Sequence, residues 1–455
     1  MNAKPSVSMH GAVVSSRCPA RSAGRAGALP ARATAVRLPR RSACLALLLA
    51  LPWLPGRAPA MTLAEAEAAL HGNNADILAA RIELRGAEGD LFDAARRPAA
   101  ELSVGSSKIS RQEGVGGGRW KDKRVDSTLG VEWTWERGGK RRLRVEGARA
   151  RGDAARLDLL DQRSAQVLAL HEAYFGLKAA QQALQMAEDN RDEAARALAA
   201  AERALATGAI APIERNRLAV EAMKAEAEAR GQRLEWQDAQ IGLALLIGHV
   251  DAPERLQAED PWPAAGTPAP LPDGFDPALR ADLQAVAARV RAADAERRLV
   301  RSQGRRDVQL GLELEREPDD IGGVTLGFSV SVPLVGARHY RGQVQRAEAD
   351  YDAAVLAQRE ADRQVRAQVR QAGGQLEAAG LQVQHYEQRI APAARQALDG
   401  MELAYRRGAA SLTDLLDARR TWREAEHERV QAQLEHAVAR ARWQALLTLP
   451  SLQGS

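Results

Sequence analysis

The sequence predicts a mainly α-helical chain with a transmembrane β portion, organised as two structural repeats. Three observations carry this. Two stretches of about seventy residues, 138–207 and 334–407, hold a single proline between them, Pro392. Four segments of nine or ten residues alternate apolar and polar side chains, the length of a tilted strand crossing a bilayer. A third observation is internal duplication: Ala206-Thr-Gly-Ala-Ile-Ala-Pro-Ile-Glu-Arg-Asn-Arg-Leu218 aligns with Arg406-Arg-Gly-Ala-Ala-Ser-Leu-Thr-Asp-Leu-Leu-Asp-Ala418. Upstream, Ala80-Arg-Ile82 matches Ala288-Arg-Val290, and Thr128-Leu-Gly130 matches Thr325-Leu-Gly327, so element order is kept while loop lengths differ.

Residues 1–60 read as a secretory leader. They hold nine basic and no acidic residues, then an apolar run from Ala43 to Leu54 and the A-x-A site Ala58-Pro59-Ala60, which places the mature start at Met61. The remaining chain has 55 basic against 59 acidic side chains, so the alkaline isoelectric point belongs to the leader and is no nucleic-acid footprint. Both cysteines, Cys18 and Cys44, precede the cut, so no disulfide framework is expected.

The first repeat, residues 61–250, is expected to open with Thr62 as N-cap and Glu65 three residues on, a capping box, and to continue as helix to about Arg97, before Pro98. Leu129, Val131, Trp133 and Trp135 then alternate with Thr128, Gly130, Glu132 and Thr134. The strand expected before them, Glu101 to Ile109, is weaker because Gly105-Ser106-Ser107 interrupts it. Beyond Gly138, Leu160, Val167, Leu170, Tyr174, Leu177 and Leu184 keep heptad-like spacing, a narrow seam that needs neighbouring helices. Gly208 stops that helix, and Pro212, a favourable first-turn residue, starts the next, ending near Ile247.

Residues 251–277 hold seven prolines and form a linker that cannot be continuous helix. The second repeat, 278–450, restates the plan, followed by a tail at 451–455. Val308, Leu310, Leu312 and Leu314 alternate with Gln309, Gly311, Glu313 and Glu315; Val324, Leu326, Phe328, Val330 and Val332 alternate with Thr325, Gly327, Ser329 and Ser331. A long helix leads to the stop at Gly408, and Ser411 caps the returning helix with Asp414 three residues on, ending near Leu449. Two hairpins supply four strands, too few to close a barrel, and an open edge in lipid costs several kcal/mol per unpaired backbone group. Other copies must complete the wall.

At the second tip, Tyr405-Arg-Arg-Gly-Ala-Ala-Ser-Leu-Thr-Asp-Leu-Leu-Asp-Ala-Arg419 resembles the tip motif of the TolC family of outer-membrane efflux channels, and the resemblance spans essentially 61–450. Glu136-Arg-Gly-Gly-Lys-Arg141 resembles the heavy-metal-resistance branch. The resemblance implies a homotrimer: a twelve-stranded β-barrel in the outer membrane of a Gram-negative bacterium, continued by a twelve-helix α-barrel through the periplasm. It implies docking on a periplasmic adaptor and an inner-membrane pump of the RND type, contact with outer-membrane lipid, and no cofactor. The matching gate residues are Asp414, Asp417, Tyr405 and Glu214; the tips that meet the adaptor are Gly208, Ala209, Ile210, Gly408, Ala409 and Ser411. Where the family carries a basic latch residue, Ala410 stands, with Arg406, Arg407 or Arg215 as substitutes.

Asp414 and Asp417 share one helix face, so threefold repetition about a narrow axis would give like-charge rings that attract cations and raise each other's pKa. The alternative is a pair of solvated first-turn carboxylates favoured by the helix dipole. Trp133 and Trp135 are candidate membrane-interface anchors or ordinary strand residues. The basic run at Lys140-Arg141-Arg142 with Arg144 suits a solvated face or a lipid headgroup contact better than nucleic acid. Catalytic motifs are missing: the eight histidines form no HExxH pair, and Gly139-Lys140 lacks the rest of a Walker A loop. A soluble coiled-coil scaffold is the competing reading; it explains the helices but not the bilayer-length strands, the leader or the duplicated tips.

Overall fold

The computed structural model describes residues 60–447, apart from 110, 113–114, 121–122, 267–270, 272–274, 318–322 and 335. The leader up to Pro59, the tail and the expected helix end at Leu449 lie outside the described residues.

Chain order begins with β1 (Ala60–Met61), α1 (Leu63–Asn73) and α2 (Ala75–Ala94). The capping box at Thr62 forms, the Thr62 hydroxyl accepting from the Glu65 amide while Glu65 accepts from the Thr62 amide at 2.8 Å. The expected single helix is instead two. Asn74 adopts an extended conformation and its side-chain oxygen caps the amides of Asp76 and Ile77, so one residue ends α1 and restarts the chain as α2.

β2 (Glu101–Ser107) and β3 (Asp126–Trp135) follow, then α3 (Lys140–Ala206) and α4 (Pro212–Ile247). With 67 residues at 1.5 Å each, α3 is a rod of about 100 Å. The described part of the 251–277 segment includes a 3-10 turn, Pro253–Arg255, and β4 (Gln257–Ala258), which pairs parallel with β1. From residue 253 to 262 it is a packed strap rather than a loose connection. The buried Tyr174 hydroxyl lies 2.9 Å from both the Met61 carbonyl and the Asp260 carboxylate, and accepts from the amides of Glu259 and Asp260. Gln240, also buried, donates to the carbonyls of Glu254 and Leu256.

The second repeat comprises α5 (Ala281–Ser302), β5 (Val308–Arg316), β6 (Val324–Ser331), α6 (Arg341–His385), α7 (Ala391–Arg406) and α8 (Leu412–Leu447). The expected long helix is interrupted by a π-turn at Tyr386–Ile390. Pro392 causes it: lacking an amide, proline cannot bond to the carbonyl four residues earlier, and the wider turn makes room for its ring.

One apolar core joins Leu70 and Ile77 to Leu170, Tyr174 and Leu177 of α3 and Leu243 and Ile247 of α4. A second joins Leu283 of α5, Val365, Val369 and Leu376 of α6, and Trp443 of α8. Each side chain fully buried here contributes about 1.5–3 kcal/mol. Small alanines along the seams let the long helices approach, the economy expected of a chain with few aromatics.

The four long strands form one antiparallel sheet in the order β2-β3-β5-β6. Both hairpins expected from the alternation are present, and β3 with β5 joins the two repeats. Gly105, which blurred the strand pattern, lies opposite Thr128, whose hydroxyl occupies the place of its missing Cβ.

Candidate functional site

Two regions carry the sequence-expected residues: the sheet and the hairpin tips.

Register settles the chemistry of the sheet. Val104, Leu129, Leu314 and Leu326 form one cross-strand row; Leu102, Val131, Leu312 and Phe328 form the next; Trp133, Leu310 and Val330 form a third; Trp135 faces Val308. The intervening rows read Ser103, Gly130, Glu313, Gly327 and then Glu132, Gly311, Ser329. One face is therefore continuously apolar and the other polar and small. The apolar face is open: Leu326 is 69% exposed, Phe328 67% and Leu102 68%. A soluble scaffold would leave this area in water, well beyond the scattered apolar exposure usual for a monomer. Among the described residues β2 and β6 each lack a second neighbour, so both edges offer unpaired backbone groups. Trp133 and Trp135, the candidate interface anchors, lie on the apolar face at its helix-side end, the latter 64% exposed. Among the described residues no helix is long and apolar enough to cross a membrane.

At the far end of the polar face the Asp126, Glu315 and Glu317 carboxylate oxygens lie within 4.8 Å of one another. Lys108 supplies a cation there, its ammonium 2.9 Å from Asp126 and 3.9 Å from Glu317.

The tips are built alike. Gly208 and Gly408 both have φ of 73°, a left-handed conformation that favours glycine. At each, the glycine amide bonds three residues back at 2.9 Å, and the next amide, of Ala209 or Ala409, bonds five back at 2.9 Å. The returning helices begin differently. Pro212 opens α4 without a side-chain cap, whereas Ser411 and Asp414 form a reciprocal box: the Ser411 amide donates to Asp414 at 3.0 Å, its hydroxyl at 2.7 Å, and the Asp414 amide donates back to the hydroxyl.

Within one chain, these bonds hold the Asp414 carboxyl below its usual range, the Ser411 side chain contributing most. The direction is opposite to the rise expected of a ring, which needs three copies. Asp417 meets Arg420 at 3.3 Å, and both aspartates are exposed, on the face away from the buried Leu415. Tyr405, Glu214 and Ile210 come together elsewhere, lining a cleft of about 380 Å³ between the two tips. Of the latch substitutes, Arg215 is bound to Glu202 at 2.8 Å, and Arg406 donates to the Glu402 carbonyl.

Sequence reasoning missed the fasteners of that cleft. Arg419 of α8 bridges Glu193 of α3 at 2.7 Å and Glu402 of α7 at 3.1 Å. Arg217 of α4 donates to the Thr413 hydroxyl at 3.1 Å. Arg423 of α8 stands 3.9 Å from Glu228 of α4. Arg419 follows the tip motif directly, but its partner Glu193 carries no signal of its own.

Comparison with known proteins agrees with this architecture. The family profile described as outer membrane efflux protein matches residues 67–249 and 278–448, one match per repeat. The cobalt-zinc-cadmium resistance protein CzcC of Cupriavidus metallidurans is 29% identical over 202 residues, 44% of this chain; the match spans 45% of that relative's length. The CmeC outer membrane channel of Campylobacter jejuni has a TM-score of 0.73 at 16% identity, covering 85% of each chain. The open-state MtrE outer membrane channel of Neisseria gonorrhoeae has a TM-score of 0.66 at 18% identity, covering 85% of this chain and 88% of that one.

Proposed function

The chain belongs to the outer membrane efflux protein family, and from that premise we propose that it is one protomer of a trimeric outer-membrane duct, a passive conduit fed by an inner-membrane pump. The observation that carries this is the sheet: four bilayer-length strands, one face continuously apolar and exposed, two edges unpaired. Three such sheets joined edge to edge satisfy every backbone group in lipid and present the polar rows to a water-filled lumen. The family and fold are those of channels, with passage rather than catalysis as their work.

Below the barrel, the paired long helices of three copies enclose a tunnel that narrows at the tips. Asp414 and Asp417 would ring the entrance, while Tyr405 and Glu214 would pack where the two hairpins meet. Gly208 to Ile210 and Gly408 to Ser411 would form the footing for a periplasmic adaptor, coupled to a pump of the RND type. Divalent metal cations are the substrate class, supported by the match to CzcC and by the exposed carboxylates of Asp414 and Asp417 at the start of α8.

Expression with its own leader in a Gram-negative host, followed by separation of inner and outer membranes by density, tests the assignment. A species starting near Met61 in the outer membrane, with the detergent-corrected mass of three protomers, is the expected result. A soluble monomer retaining residues 1–60 would sink it.

A further inference from the structure

Where the strands meet the helices, four segments converge. Residues 95–97, 136–144, 304–308 and 336–341 together hold eleven lysines and arginines against two carboxylates, Glu136 and Asp307. Contacts bind them into one zone: the Arg137 amide donates to Asp307 at 2.9 Å, Lys140 pairs with Asp307 at 2.7 Å, and Arg141 donates to the Ala95 carbonyl at 2.6 Å. Gly304 packs beside Ala337, and the left-handed Gly138 packs against the Arg305 side chain.

The structure divides the basic residues in two. Lys140 and Arg144 are spent internally, on Asp307 and Glu136. Arg97, Arg137, Arg142, Arg305 and Arg338 are exposed, and among the described residues no carboxylate pairs with their side chains. Arg137 stands two residues beyond Trp135, and the exposed Arg306 two before Val308, so both follow the apolar face in strand register. Along that face, going toward the helices, the order is leucine and phenylalanine rows, tryptophan, then arginine. Hydrocarbon, interface and phosphate follow one another in the same order across a leaflet.

We propose that these arginines form a cationic collar that binds the phosphate groups of anionic phospholipids in the leaflet nearest the helices. The proposal rests on the strands spanning a bilayer, and its charge selects the lipid: a zwitterionic headgroup balances its phosphate with an ammonium and carries no net charge, whereas phosphatidylglycerol carries an uncompensated negative charge. Arginine suits the task because its planar donors match a phosphate bidentately and its aliphatic stem can lie along the interface.

Trp133 and Trp135 provide the probe, because both lie beside the collar. The purified full chain is reconstituted in phosphatidylethanolamine vesicles carrying either brominated phosphatidylglycerol or brominated phosphatidylethanolamine at equal mole fraction, and tryptophan quenching is read. One arginine near a charged surface is worth about a fivefold preference, so quenching should report at least about fivefold tighter association of the anionic lipid. The combined substitution of Arg137, Arg305, Arg306 and Arg338 by glutamine should bring the two lipids to parity, and salt should weaken the parent's preference. Equal quenching by both lipids in the parent, or an undiminished preference in the variant, overturns the collar. No quenching by either lipid overturns the bilayer-spanning reading beneath it.

Discussion

Replacing Arg419 and Arg217 should loosen the tunnel's lower end by an amount the structure bounds. Only ties that cross between hairpins resist their separation. Arg419 to Glu193 joins α8 to α3 at 2.7 Å, and Arg217 to Thr413 joins α4 to α8 at 3.1 Å; Arg419 to Glu402 stays within one hairpin and moves with it. These groups are partly exposed, with 24% of the Arg419 side chain and 44% of that of Glu193 accessible, so solvent screening keeps each tie at about 0.2–1 kcal/mol. Losing both costs the closed arrangement about 0.4–2 kcal/mol, which raises the separated population by about two- to thirtyfold. In planar bilayers the variant Arg217→Gln with Arg419→Gln should show that increase in open probability. Glu193→Gln cuts one of the ties from its other end, so combining it with Arg419→Gln should add little to either alone. Changes below about twofold in the double variant, or strict additivity of Glu193→Gln with Arg419→Gln, would refute the fastening role.

Three further outcomes follow from the same geometry. Asp414→Asn together with Asp417→Asn should reduce block by divalent cations in planar bilayers, while Ser411→Ala, which weakens only the cap, should leave block unchanged; unaltered block in the double variant counts against acidic rings. Because the folded Asp414 carboxyl titrates below its ordinary value of 3.8, its cap stabilises the start of α8 above that value and fades as pH falls through the folded pKa. Amide exchange at Asp414 should therefore speed up on Ser411→Ala at neutral pH, and the difference should shrink, without vanishing, once Asp414 is protonated, because the hydroxyl still accepts from that amide in the parent. Tyr174→Phe removes the acceptor of the partly buried Asp260 amide, costing about 1–3 kcal/mol locally, while the Glu259 amide keeps the Met61 carbonyl at 3.4 Å. Exchange at Asp260 should quicken by about five- to 150-fold and at Glu259 by less, whereas Tyr386→Phe, which removes an exposed bond to Glu428, should leave these amides unmoved.

The elements that sequence disclosed are those whose cause is local. Alternation gave β3, β5 and β6 nearly to the residue, and the glycines at 208 and 408 marked both turns because a left-handed residue has few chemical solutions. The capping box at Ser411 was legible for the same reason. Asn74 was overlooked inside a helical pattern, although Asn followed two residues later by Asp76 is an N-cap signal. The strap at 253–262 could not be read as packed, since its order comes from Tyr174, some 85 residues upstream along the chain. Arg419 and its partners belong to the same class: charged residues are plentiful along all four helices, and which of them meet depends on how the helices are phased. The π-turn lay between these cases, because Pro392 announced a disturbance without fixing its form.

That interruption also governs height. From membrane junction to tip, one descending leg is α3 with 67 residues, while the other is assembled from pieces of 45, 5 and 16, a shortfall of one residue, or about 1.5 Å of rise. The two ascending legs are equal at 36 residues apiece. Duplication followed by drift would ordinarily leave legs of different reach, yet here the long legs match, and the length variation falls in the leading helices, α1 and α2 against α5, and in the loops, the strap and the sheet. In a threefold assembly six feet would thus stand on one plane, though shod differently: Ala209-Ile210 on one kind, Ala409-Ala410 on the other. A ring-shaped partner can then seat flat on this base while still telling the two kinds apart, so that rotational alignment is set by chemistry and levelness by residue count.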